Sequence, residues 1–245
     1  MRELISALQF LTVIPIPFKT DENSLGRSVP YFPIAGLCIG ALSALIYWIT
    51  AFYFKMPANV ASLSAIISLA LFSGGLHLDG LADTADGLFS HRSKEKTLEI
   101  MNDSRIGTMG VLALIFAILS KWIFISSIRE IDAFKILFLS PCASRTALSV
   151  SLLLFPYARY EGLVGVFKRN QKIYDWVFPV LFSLATGWIC FYFTGVLIVF
   201  IAVISGLIFS LYCLKRIDGI TGDTLGAVSE TGELISFIAI FCFCL

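Results

Sequence analysis

The chain has 245 residues, 58% of them hydrophobic and only 14% charged, with a mean hydropathy of +0.87. That balance leaves too little polar surface for a soluble globular domain of this size. The formal net charge of +1 makes nucleic acid or another polyanion no expected partner. The lipid bilayer is the expected one, because the charges crowd into a few short loops. Six cysteines, Cys38, Cys142, Cys190, Cys213, Cys242 and Cys244, lie in or beside apolar runs without CxxC spacing and read as packing residues.

In chain order, Met1 to Pro17 is apolar but interrupted by Gln9, Pro15 and Pro17. It is too short to span, carries no evident cleavable signal and is expected at the interface. Seven candidate spans follow, Pro33–Phe54, Val60–Leu78, Ile106–Ser126, Lys135–Phe155, Trp176–Phe193, Val196–Leu214 and the short Glu233–Leu245. The fifth and sixth have almost no polar loop between them, yet one helix of their joint length would measure about 57 Å, far beyond a bilayer. A tight hairpin is therefore expected near Thr194–Gly195. With seven spans, thirteen Lys and Arg residues fall in loops on one side and three, Lys55, Arg129 and Lys135, on the other. This bias puts the N-terminus and the long loops in the cytoplasm. The expectation is an all-α polytopic bundle, residues 1–245 forming a single integral membrane domain without a repeat or soluble appendage.

The second span is expected to run without interruption into His77-Leu-Asp79-Gly-Leu-Ala-Asp83-Thr-Ala-Asp86-Gly. On a helix, carboxylates at i, i+4 and i+7 fall within about 60° of arc. Three so close repel one another unless a cation sits among them, and hard oxygen ligands without cysteine suit magnesium or manganese. The competing reading is a solvated acidic helix end, which the small residues Gly80, Ala82, Ala85 and Gly87 do little to serve. His77 reads equally as an interfacial hydrogen-bonding residue, a ligand or a base. Farther on, Asp103-Ser-Arg105 stands at the mouth of the third span, where an arginine can grip phosphate and an acid can hold it or a metal.

Within the fourth span Arg145 is an ionisable residue in an apolar run, expected to face the bundle interior. Pairing with an acid and binding phosphate are equally open to it. Before the last span, Asp223 and Glu230 stand seven residues apart, a spacing a helix would align, with Gly222 and Gly226 permitting close approach. Two exposed acids on a packing motif is the rival reading. Loop placement puts this pair on the same side as Asp79–Asp86, so the two constellations are expected to share one cytoplasm-facing cleft.

Five strings together, Leu11-Thr12-Val-Ile-Pro15-Ile-Pro17, Phe32-Pro33-Ile-Ala-Gly36, Asp79-Gly-Leu-Ala-Asp83-Thr-Ala-Asp86-Gly, Met101-Asn-Asp103-Ser-Arg105-Ile-Gly107-Thr-Met-Gly110 and Thr221-Gly-Asp223-Thr-Leu-Gly-Ala-Val-Ser-Glu230, resemble the cobalamin synthase family, the adenosylcobinamide-GDP ribazoletransferases. The resemblance extends from the N-terminus to Glu233. It implies a prokaryotic inner-membrane enzyme that uses magnesium, with adenosylcobinamide-GDP and α-ribazole or its 5′-phosphate as substrates. Adenosylcobalamin or its 5′-phosphate and GMP are the implied products. Under it, Asp79, Asp83, Asp86 and Asp223 are the expected metal ligands, with Asp83, Asp86, Asp223 or His77 in the chemistry. Asp103, Arg105, Arg145 and Glu230 are the expected substrate contacts. A homo-oligomer is compatible with the sequence. A CDP-alcohol-type phosphotransferase and an ion-coupled carrier are the rival readings; the aspartate spacing departs from that of the CDP-alcohol family, and against a carrier the acids gather at one interface and do not line a path across the bilayer.

Overall fold

The computed structural model, described over residues 1–159 and 162–244, is helical with one isolated β-bridge and no strand among the described residues. The helices are α1 (Arg2–Leu11), α2 (Glu22–Gly26), α3 (Phe32–Trp48), α4 (Ala58–Phe72), α5 (Leu76–Leu88), α6 (Lys94–Ile100), α7 (Thr108–Ser126), α8 (Glu130–Leu154), α9 (Leu163–Asn170), α10 (Val177–Ile217) and α11 (Gly222–Cys244). Five stretches are long and apolar enough to cross a bilayer, and α4 with α5 passes the same test only as a broken pair.

The bundle is arranged around α8. Along its most apolar stretch 89% of α8 is buried, against 22% for α7, so α8 is the axis and α7 a peripheral leg whose Phe116, Leu119 and Ile123 remain exposed as a lipid-facing surface. Pro141 sits inside α8 and supplies no N–H to the carbonyl of Leu137. Gly40 of α3 packs directly on that carbonyl, and Gly36 on the carbonyl of Pro141. Without a Cβ at these two positions the backbones come close, as small residues permit between membrane helices.

The expected continuous helix from Val60 through the acidic string is not what forms. Gly74 and Gly75 both take left-handed backbone angles, φ 62° and 71°. They end α4 and turn α5 by 87°. A side chain at Gly75 would meet nothing within 4 Å, so glycine is required there for its conformation and not for space. The acidic string therefore lies on a separate helix turned out of the spans, across one end of the bundle.

The expected hairpin does form, three residues earlier than the sequence places it. Phe191 and Tyr192 leave helical geometry, Tyr192 at φ 52° and ψ −132°. In a straight helix residues eight apart are about 12 Å distant, yet the backbones of Gly187 and Gly195 touch. The last span is also longer than expected. Helix α11 starts at Gly222, so Asp223 and Glu230 belong to its first turns and not to a preceding loop. The N-terminal segment is a packed helix, with Ala7 and Leu11 buried against Phe32 and Phe167.

Candidate active site at the crossing of α5 and α11

Glycines again set the geometry. A Cβ on Gly80 would come within 2.7 Å of the Asp223 carbonyl oxygen, and one on Gly226 within 3.1 Å of the Gly80 Cα. The two backbones cross at this point, which brings Asp79 and Asp83 of α5 to the start of α11. Burial first, then the charges of Asp79, Asp223 and Asp86, push the Asp83 carboxyl up to about 6, with Arg159 opposing. Carboxylates that raise one another in this way share one space. Asp79 and Asp83 accept no hydrogen bond from the described residues.

Asp223 is held from two sides. Arg159 Nη2 donates to its Oδ2 at 2.8 Å and Thr221 Oγ1 at 3.3 Å. Thr221 also caps α11, accepting from the Thr224 amide at 3.1 Å while its own amide donates to Thr224 Oγ1 at 2.7 Å. Arg159 is a residue that sequence reasoning missed, counted only as a loop charge. It reaches Asp223 because the segment after α8 pairs with the turn before α11. Ala158 N–H donates to the Ile220 carbonyl and Ile220 N–H to the Pro156 carbonyl, both at 2.9 Å. No periodicity in the sequence carries that pairing.

Asp86 has a different environment from its neighbours. Its two oxygens accept from the amides of Gly107 at 2.6 Å and Gly110 at 2.8 Å, the exposed N–H groups of the first turn of α7. Gly107 occupies the capping position and has no side chain to offer, so a carboxylate from another helix does the capping. A Cβ on Gly107 or Gly110 would lie 2.5 Å from an Asp86 oxygen. Two residues upstream of that cap, Asp103 and Arg105 form a forked pair, with Nε and Nη2 donating at 3.0 and 2.6 Å. These bonds hold the Asp103 carboxyl at about 2. The pair is solvent-exposed and makes no hydrogen bond to the acids of α5.

Arg145 and Glu230, expected as substrate contacts, do not line this cleft. Both are buried in the bundle interior with Lys121 and Glu233. Lys121 Nζ donates to Glu230 at 2.6 Å and to Glu233 at 2.7 Å, and Arg145 Nη1 bonds Glu233. Of the two readings open to Arg145, pairing with an acid is the one realised. Arg145 Nη2 also faces His77 Nδ1 at 3.2 Å. A guanidinium can only donate, so Nδ1 is the acceptor and the ring proton is assigned to Nε2. His77 thus offers no free lone pair to accept a substrate proton. Lys121 was the second missed residue, an ionisable group inside an apolar run to which the argument applied to Arg145 equally applies.

Between α1, α3, α5, α8, α9 and α11 lies a cavity of about 190 Å³. Its greater part is apolar, with Phe10, Phe32, Leu148 and Phe167 in the wall, and Asp79, Asp223 and His77 also border it. Among the described residues no three Asp, Glu, His or Cys side chains stand close enough to enclose an ion. Magnesium needs no such cage, since it typically takes one or two carboxylates and completes its shell with water and substrate phosphate. The unengaged Asp79 and Asp83, with Asp223 opposite, fit that open mode. Asp86 retains one lone pair on each oxygen beyond the cap.

A family model described as cobalamin-5-phosphate synthase matches residues 3–241. Among curated proteins, an adenosylcobinamide-GDP ribazoletransferase of Clostridium novyi is 35% identical over 99% of this chain and 98% of its own length. One of Caldanaerobacter subterraneus is 38% identical over 97% of each chain, and one of Escherichia coli 37% identical over 95% of this chain and 96% of its own. No solved structure matches. With the match running through α1, both acidic constellations and most of α11, this chain belongs to the cobalamin-5-phosphate synthase family.

Proposed function

We propose that this protein is a membrane-embedded transferase that moves the adenosylcobinamide phosphate moiety from adenosylcobinamide-GDP to α-ribazole or its 5′-phosphate. GMP is released, and adenosylcobalamin or its 5′-phosphate is formed late in cobalamin biosynthesis. The observation that carries the reading is the convergence of the α5 and α11 carboxylates beside an apolar cavity, in a chain of this family. In the reaction the acceptor hydroxyl oxygen forms a bond to the phosphorus that bears adenosylcobinamide. The bond from that phosphorus to the bridging oxygen breaks, and GMP departs with the electron pair.

Each part of the site has a task in such a transfer, which is mostly positioning and charge neutralisation. Asp79 and Asp223 would hold magnesium, with Asp83 beside it, and the ion when bound neutralises charge on the transferring and leaving phosphates. Arg159 is the candidate phosphate clamp. It holds Asp223 with one amino group, while its Nε is buried without a partner among the described residues. Asp83, the acid whose neutral form its surroundings favour, is the candidate acceptor of the hydroxyl proton. Asp86 positions the string by locking α5 to α7, and the solvent-exposed Arg105 is a candidate contact for a nucleotide phosphate.

The charge bias of the loops supports an active site on the cytoplasmic side of a prokaryotic inner membrane. Purified protein supplied with adenosylcobinamide-GDP and α-ribazole should release GMP in a magnesium-dependent manner. Release that proceeds equally in chelator would remove magnesium from the reading, and the absence of any GMP would remove the transfer itself.

A further inference from the structure

Phosphoryl chemistry gives no use to the apolar end of the cavity. Its wall is a trio of phenylalanines brought from three helices or their edges. Ring centroids lie 5.3 Å apart for Phe10 and Phe167, 5.6 Å for Phe32 and Phe167 and 5.9 Å for Phe10 and Phe32. Leu148 and Leu152 of α8 also line it. His77 borders the same cavity at 2% exposure. Its Nδ1 is occupied by Arg145, which leaves the N–H on Nε2, and Nε2 is buried with no partner among the described residues. A buried donor without an acceptor is costly, and such groups commonly mark a place where something else supplies one.

We propose that this end of the cavity is the subsite for the flat bicyclic base of the nucleoside acceptor, with His77 Nε2–H donating to the ring nitrogen that carries no sugar. The inference rests on the transfer proposed above. A ribazole base is a benzimidazole, apolar over both faces and most of its edge, with one in-plane lone pair. Rings of phenylalanine suit its faces and edges, and a single fixed donor suits its single acceptor. At ~10–15 Å³ for each water-sized position, a cavity of about 190 Å³ accommodates a group on the order of a dozen heavy atoms. Asp79 and Asp223 border the same space, so a ribose attached to the seated base extends toward the acids. The energy of binding the base is thereby used to place the hydroxyl, remote binding serving the reacting centre. An acyl chain from the bilayer would also fill an apolar cavity, but would leave the His77 donor unmet.

The test compares a benzimidazole riboside with the indole riboside of the same shape, in which the acceptor nitrogen is replaced by C–H. Equilibrium dialysis on the full-length protein in detergent reads binding without turnover, and steady-state kinetics reads KM for each riboside and for adenosylcobinamide-GDP. Wild-type protein should bind the indole riboside about 10- to 100-fold more weakly, with KM for adenosylcobinamide-GDP unchanged. His77→Gln, whose amide oxygen and N–H can replace Nδ1 and Nε2, should keep the preference, and His77→Leu should abolish it. Equal affinity of wild type for the two ribosides overturns the subsite, and needs no variant to fold. So does a preference that survives undiminished in folded His77→Leu. If the preference is present in binding but no GMP is released with any acceptor, the subsite stands and the transfer reading falls.

Discussion

Two clusters of ionisable groups succeed one another along α11, Asp223 and Glu230 standing about 10 Å apart on its axis, and they are opposites. At Asp223 the helix faces Asp79, Asp83 and Asp86, with Arg159 the one cation hydrogen-bonded to the group among the described residues. At Glu230 and Glu233 it faces Lys121 and Arg145, two cations against two anions in a buried set. The first is unbalanced and borders a cavity. The second is neutral, buried and tied to four helices through His77, Lys121, Arg145 and the two glutamates, and the space beside it is smaller, about 70 Å³. Residue type does not separate them, since both contain acids and an arginine. What separates them is whether each charge already has its partner: the charges of the interior set are matched, and those at the crossing of α5 and α11 carry an excess of one sign.

The largest effect expected from this contrast is at the cleft. Asp79→Asn or Asp83→Asn keeps side-chain shape and removes one repelling charge, so folding should be unharmed and the metal-free protein can even gain stability. Turnover should fall by orders of magnitude, as expected where an ion neutralises transition-state charge. GMP release at saturating magnesium, beside a thermal melt of the same sample, checks both halves. Normal turnover in both variants would mean that the acids of α5 are only a polar helix end.

The interior set should answer in the reverse sense. Arg145→Leu leaves Lys121 as the one cation hydrogen-bonded to both Glu230 and Glu233 among the described residues, and loss of one partner from a buried pair typically costs about 3–5 kcal/mol. The melting temperature in detergent should fall steeply, and activity should follow the folded fraction. Replacing Lys121 and Glu230 together by methionine should be far milder than replacing either alone. If the double replacement is as damaging as the sum of the singles, the two are not partners.

Asp86 tests the boundary between the two kinds of site, since it belongs to the acid string by sequence and to the scaffold by its bonds. Asp86→Ala removes the cap of α7, for a loss of about 1 kcal/mol. Asp86→Asn, which can still accept one amide, should lose less. Activity should decline through displacement of Asp83, with a smaller fall than for Asp83→Asn. An Asp86→Asn enzyme as inactive as Asp83→Asn, with an unchanged melt, would place Asp86 among the direct ligands.

How much of this was legible follows from the same physics. Helical periodicity is local, so the shared face of Asp79, Asp83 and Asp86 could be read from spacing, and the hairpin before Val196 from an apolar run too long for one bilayer crossing. Interior placement of Arg145 followed from the expense of a charge in lipid. The break at Gly74–Gly75 was readable in principle, because two adjacent glycines permit left-handed angles, but an apolar run on both sides outweighed them. Glu230 lies apart from Asp223, buried on Lys121, because helical alignment says nothing of depth. Seven residues along an axis that enters the bundle carry a side chain about 10 Å away from the cleft. Arg159 and the cap of α7 by Asp86 depend on contacts between distant segments, and no local pattern encodes them.

The smallest expected effect is the most specific to the unbalanced cluster. The Asp83 carboxyl stands at about 6 in the folded protein against an ordinary 3.8, through burial and then its acidic neighbours. A raised carboxyl means that the folded state binds more protons than the unfolded chain between those two values. Stability of metal-free protein should therefore rise as pH is lowered from about 6 toward 4, and be lost again as pH climbs. Because the group is partly solvated, the contribution is discounted to at most about 1 kcal/mol. Other carboxyls titrate in the same window, so the quantity to measure is the difference between wild type and Asp83→Asn, as melting temperature against pH in chelator. That difference should be largest at neutral pH, with the asparagine variant the more stable, and should vanish near pH 4. Saturating magnesium should shrink or reverse it, because a cation among the acids favours the ionised form that burial and the neighbouring carboxylates penalise. A difference that is flat with pH, or that magnesium leaves untouched, would show that Asp83 does not face its neighbours across a shared space.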